Sequence, residues 1–136
     1  MQPAHSPAPT DAELRGKVVY IEDAPMYFEL VKALLKPHRA VQIIHASTGQ
    51  EGVELVRRER PDFVLLDMHL PDISGLDVVR MLSEDIASRR LRVTILTGDS
   101  LSIDIIKAMS LGAFDYLIKP VTAQTLEKSL RRALMR

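Results

Sequence analysis

The stretch FVLLDMHLPDISG, residues 63–75, runs apolar for four residues and then stops on a carboxylate, Asp67. Turn signals follow at once in Pro71, Asp72, Ser74 and Gly75. An unbroken apolar run bounded by a turn reads as a buried strand. A carboxylate at the end of such a strand costs desolvation unless a cation or hydrogen-bond donors meet it. The fold therefore has to bring partners for Asp67 to the point where the chain turns.

Outward from this stretch, two hydrophobic periods alternate. KVVYI (17–21) is a β-branched run, and PMYFELVKALLK (25–36) places Phe28, Val31, Leu34 and Leu35 on one helical face. Pro25 suits a first helical turn, where its missing N–H has no partner to lose. AVQIIHA (40–46) returns to strand, and TGQEGVELVRRE (48–59) opens with Thr48 and Glu51 at capping-box spacing. After the strand that ends at Asp67, Ser74 can cap a helix from Gly75 to about Ala87. LRVTIL (91–96) is a fourth strand, and SIDIIKAMS (102–110) a fourth helix that Gly112 ends. AFDYLI (113–118) is the fifth strand, with AQTLEKSLRRALM (123–135) as the closing fifth helix behind Thr122.

Five strands alternating with five helices imply a parallel sheet covered on both faces. Right-handed crossovers favour a doubly wound sheet of order 2-1-3-4-5, since an eight-stranded barrel needs a far longer chain. In such sheets ligands bind at the carboxyl ends of the strands, where the strand order reverses. Here that is between the first and third strands.

Composition bounds the setting. The 136 residues suit one domain with its own core. Lysine plus arginine equals aspartate plus glutamate, 18 against 18, so no overall field points to nucleic acid or membrane. The basic pairs Arg57–Arg58, Arg89–Arg90 and Arg131–Arg132 are scattered along helix faces. Absence of cysteine excludes disulfides and thiolate metal sites. No histidine stands at zinc-ligand spacing from another. MQPAHSPAPTDAEL (1–14) lacks a signal-peptide apolar core and reads as a flexible leader, with the domain spanning 15–136. A cytoplasmic chain is expected.

The strand ends carry the chemistry. The first strand delivers Glu22 and Asp23, the third Asp67, the fourth Thr97 and the fifth Lys119. Three carboxylates at a switch point make an oxygen-rich site for a hard divalent cation, most simply magnesium. A hydroxyl and an ammonium close the crevice and suit a tetrahedral dianion. Aspartate accepts a phosphoryl group when a metal neutralises charge and holds it in line.

With these residues in order, the chain resembles the receiver domains of two-component response regulators, the chemotaxis-regulator type. IEDAP is similar to the family's acidic pair, LLDMHLPDISG to its phospho-acceptor motif, TILTGD to its switch hydroxyl, and YLIKP to its aromatic, lysine and proline. The resemblance covers about residues 15 to 136 and implies a flavodoxin-like fold. It further implies that Asp67 accepts phosphoryl from a sensor histidine kinase or phosphotransfer protein. Glu22, Asp23, Asp67 and the main-chain carbonyl of His69 would hold Mg²⁺, with Asp23 bound directly and Glu22 through water. Thr97 and Lys119 would each bond a phosphoryl oxygen, and Tyr116 would switch between outward and inward positions. Lys119–Pro120 is expected to be cis. His69 and Asp99 would border the attacking water.

The resemblance implies a switch that catalyses its own phosphorylation and dephosphorylation, not an enzyme acting on a separate substrate. An output protein or domain would read the face made by the fourth helix, fifth strand and fifth helix. Neither nucleic acid nor membrane is an expected direct partner. The domain is then a single-domain regulator or a receiver from a longer protein. Departures from the pattern include Glu22 in place of aspartate and Ala24 where a further acid is frequent. The alternative is an interaction module of the same fold that ignores phosphorylation. A phosphohydrolase with an aspartyl intermediate fits less well, because His69 stands where its second acid would be.

Overall fold

The computed structural model describes residues 13–98 and 102–134. Five parallel strands, β1 (Arg15–Ile21), β2 (Ala40–Ala46), β3 (Phe63–Asp67), β4 (Arg92–Thr97) and β5 (Asp115–Ile118), form one sheet. Their order is β2-β1-β3-β4-β5, as the alternation of elements predicts. The connecting helices are α1 (Pro25–Leu35), α2 (Gly49–Glu59), α3 (Gly75–Met81), α4 (Ser83–Arg89), α5 (Ile103–Ser110) and α6 (Ala123–Leu134).

Period-two alternation divides the core into two layers. Val19, Ile21, Val64, Leu66, Val93 and Ile95 pack with Val53, Val56, Val78 and Ala108, from α2, α3 and α5. Val18, Tyr20, Phe63, Leu65 and Leu96 pack on the other face with Val31, Leu126 and Leu130, from α1 and α6. Glu22 continues the register of Val18 and Tyr20, and Asp67 that of Phe63 and Leu65. Both acids therefore emerge toward the α1 side as their strands end.

Caps fix where helices begin. Pro25 occupies the first turn of α1. Thr48 Oγ1 accepts from the Glu51 N–H at 3.1 Å, but the Glu51 carboxylate returns to the Ser47 N–H at 2.7 Å, one residue before the cap. A full capping box joins Ser74 and Asp77. Gly75 cannot carry a side chain, because a Cβ there would lie 2.6 Å from Met68 Cα and 2.9 Å from the Asp67 carbonyl oxygen. That close approach seats α3 directly against the end of β3.

One expectation needs correction. The single helix expected from Gly75 to about Ala87 is two, joined at Leu82, whose ψ is 6°. The described residues thus hold six helices, not five. The cause is a change of burial: α3 buries Leu76, Val78 and Val79, α4 buries none of its residues, and fully buried Leu82 anchors the join. Leu14, the last residue of the leader read over 1–14, is fully buried in the α1–α6 layer. Apolar burial there draws the chain into the core before β1 begins. The rest of the leader, residues 1–12, lies outside the described residues. No helix among the described residues is long and apolar enough to cross a membrane.

Candidate functional site

Register brings the acids together. Ile21 pairs with Leu66, so Glu22 and Asp67 leave neighbouring strands side by side. Glu22, Asp23 and Asp67 each offer a carboxylate oxygen within 4.8 Å of the others. Glu22 is 1% exposed and Asp67 4%, while Asp23 faces solvent. On the far side of β3, Thr97 ends β4 fully buried, and its carbonyl accepts the Lys119 N–H at 2.6 Å. The Lys119–Pro120 peptide is cis, as expected. Tyr116, half-buried on β5, packs against the layer beneath α3 and α5. Asp99 lies outside the described residues.

Lys119 answers the charge of these acids unequally. Its Nζ lies 2.8 Å from Glu22 Oε1 and 3.8 Å from Asp67 Oδ1. The Tyr27 ring lies against the same ammonium, 4.0 Å from Nζ to the ring centroid. Glu22 Oε1 also accepts the Tyr20 hydroxyl at 3.0 Å, and Oε2 accepts the Ala24 N–H at 3.2 Å. Asp67 Oδ1 accepts the His69 N–H at 3.1 Å.

These contacts set the two acids apart. Burial raises the Asp67 carboxyl from the ordinary 3.8 to about 6, opposed by the His69 N–H and helped by neighbouring Glu22. Burial works against Glu22 as well, but hydrogen bonds from Lys119 and the Ala24 N–H hold it below the usual carboxylate range. Glu22, which also shares a side-chain hydrogen bond with Asp67, is therefore the settled anion, and Asp67 the acid that burial and Glu22 together hold toward its protonated form. An all-oxygen set with one under-compensated carboxylate fits a hard divalent cation such as Mg²⁺.

Sequence reasoning missed three supporting residues. Tyr20 reads as core filler, although its place two residues before Glu22 on one strand puts both on one face. Tyr27 stands in the first turn of α1, four residues after Asp23, and only the fold brings Lys119 to it. Asp72 accepts the Gly49 and Gln50 N–H groups at 2.8 and 2.9 Å, tying the β3–α3 loop to the start of α2. Those hydrogen bonds hold its carboxyl below the ordinary range. The Pro–Asp turn signal marks the residue, but not its distant partner.

The response regulator receiver domain family matches this chain over residues 18–131. The chain belongs to the response regulator receiver domains. PilH of Pseudomonas aeruginosa is 33% identical over 119 residues, covering 88% of this chain and 98% of PilH. The transcriptional regulatory protein BtsR of Escherichia coli is 36% identical over 118 residues, covering 85% of this chain but 47% of BtsR. The receiver thus spans nearly all of one relative and about half the length of the other. A receiver domain from Clostridium thermocellum superposes with a TM-score of 0.78 at 34% identity, over 88% of this chain and 94% of that one. The receiver domain of a sensor histidine kinase from Pseudomonas aeruginosa, which holds a magnesium ion in its active-site cleft, does so with 0.79 at 25% identity, over 90% and 99%. This receiver is accordingly a module of two-component signalling.

Proposed function

We propose that this receiver accepts a phosphoryl group on Asp67 from the phosphohistidine of a sensor histidine kinase or phosphotransfer protein. The observation that carries the reading is the convergence of three carboxylates within 4.8 Å, with Lys119 Nζ 3.8 Å from Asp67. An interaction module indifferent to phosphate gains nothing from so much buried charge, which costs stability unless it is used.

In the reaction an Asp67 oxygen bonds to phosphorus as the donor's P–N bond breaks. The imidazole leaves with the electron pair and takes a proton from water. Glu22, Asp23, Asp67 and the His69 carbonyl would hold Mg²⁺, which when bound neutralises charge on the carboxylates and the transferring group. Lys119 moves from Glu22 to a phosphoryl oxygen, and the Thr97 hydroxyl donates to another. Acetyl phosphate with Mg²⁺ should add one phosphoryl group to the intact protein by mass, and none with EDTA. Equal labelling in EDTA would contradict the metal's part.

Metal affinity should rest on Asp23 more than on Glu22. Asp23 is exposed, whereas both oxygens of Glu22 already accept protein donors. Calorimetric Mg²⁺ titration should show a loss of roughly tenfold or more for Asp23→Asn and a clearly smaller one for Glu22→Gln. Equal losses would remove the ranking.

The signal would leave through α5, β5 and α6, the face on which Ile103, Ile106 and Ile118 stand exposed. A Thr97 hydroxyl drawn toward the phosphoryl group vacates volume that the Tyr116 ring can fill, coupling a local charge event to that surface. Thr97→Ala should still be phosphorylated, yet show weakened activation shifts at Tyr116 and residues 102–109 in NMR spectra with beryllofluoride. Unchanged shifts would mean another route. An output protein or domain reads this face; the balanced charge gives the receiver no overall field toward nucleic acid.

A further inference from the structure

We infer that Tyr20 is a positioning residue that frees Lys119 for the phosphoryl group by keeping Glu22 satisfied after the lysine leaves. The inference rests on the acceptor reading of Asp67 above.

The contacts are specific. Tyr20 is fully buried, and its hydroxyl donates to Glu22 Oε1 at 3.0 Å. Lys119 Nζ reaches that same oxygen at 2.8 Å. One oxygen therefore serves two donors, of which the hydroxyl sits on a fully buried strand ring and the ammonium on a longer, partly exposed stem. The Tyr20 ring meets Phe28 with centroids 6.2 Å apart, and Phe28 stacks on His45 at 4.1 Å. His45 Nε2 in turn lies 2.7 Å from the Glu22 carbonyl oxygen. Glu22 is thus bracketed at its side chain and its main chain by one connected aromatic group.

Lys119 has to travel from this oxygen to a phosphoryl group on Asp67. If it were the principal donor to Glu22, its departure would leave Oε1 of a carboxylate that is 1% exposed without a protein donor, even where Mg²⁺ supplies charge from the other side. A buried anion left without its cation holds that cation back. With the Tyr20 hydroxyl still on Oε1 and the Ala24 N–H on Oε2, the carboxylate keeps two donors throughout. Tyr27, whose ring faces the ammonium, steadies Lys119 only in its starting place. Tyr20 acts on the acceptor side of the same pair and lowers the cost of the crossing.

The test compares the full chain with Tyr20→Phe, Glu22→Gln and the double variant. Phenylalanine keeps the buried ring and removes only the hydroxyl. Beryllofluoride with saturating Mg²⁺ stands in for the phosphoryl group and is titrated by NMR, with Mg²⁺ alone titrated separately. Tyr20→Phe should weaken beryllofluoride binding about tenfold while changing Mg²⁺ affinity less than about threefold. In the Glu22→Gln background the same change should matter less than about twofold, because no carboxylate remains to retain Lys119. Wild-type beryllofluoride affinity in Tyr20→Phe, or an equal loss in both backgrounds, overturns the inference. If the wild-type chain itself takes no beryllofluoride, the acceptor reading falls first and the inference with it.

Discussion

Asp67→Asn is expected to abolish phosphoryl uptake and, without metal, to raise the melting temperature. The first effect follows from removing the nucleophile. The second follows from burial, which raises the carboxyl from 3.8 to about 6. A folded-state value above the unfolded one favours the folded protein below about pH 4. That advantage is lost as the pH climbs to about 6, leaving a buried, poorly paired charge at neutral pH. The penalty is on the order of 1–3 kcal/mol before solvent relaxation. Asparagine keeps an oxygen for the His69 N–H and carries no charge. Calorimetry at pH 7 in EDTA should show a rise of roughly 4–8 °C for the variant. Mg²⁺ should stabilise the wild type more than the variant. A lower melting temperature for Asp67→Asn in EDTA would contradict the electrostatic account.

Lys119→Met should act in the opposite direction. Lys119 is the cation of the site, its side chain 10% exposed and 2.8 Å from Glu22. Methionine keeps much of the stem and its packing but leaves two buried carboxylates facing each other. Removing one partner of a buried pair costs about 3–5 kcal/mol, and the slight exposure places this case near the lower figure. The melting temperature in EDTA should drop by roughly 10 °C. Mg²⁺ should then bind more tightly than to the wild type, since no ammonium competes for the acids, and should restore much of the loss. A variant as stable as the wild type in EDTA, with unchanged Mg²⁺ affinity, would show that Lys119 does not compensate these charges.

Much of this was legible because the strands are short, apolar and closed by chemistry-bearing residues. Glu22, Asp23, Asp67, Thr97 and Lys119 stand at strand ends in the chain, and a parallel sheet puts strand ends on one edge. What the pattern hid is non-local. Leu82 continues the apolar period of α3, so nothing in the sequence marks the break where burial changes. Leu14 is one leucine after a proline-rich run, and only the packing of α1 and α6 shows that it belongs to the core. Lys119 makes its short contact with Glu22, at 2.8 Å against 3.8 Å to Asp67, a division between two buried acids that strand-end position alone does not specify. The Tyr20 hydroxyl was hidden because a tyrosine in a central strand looks like apolar filling until its partner is located.

The most direct measurement of the central claim is the chemical identity of the modified residue. After incubation with acetyl phosphate and Mg²⁺, borohydride reduction converts an aspartyl phosphate to homoserine, which peptide mass spectrometry can place in the chain. The account predicts homoserine at position 67 and nowhere else. Reduction product at another acid, or a stable phosphate on a hydroxyl or histidine with position 67 intact, would contradict it.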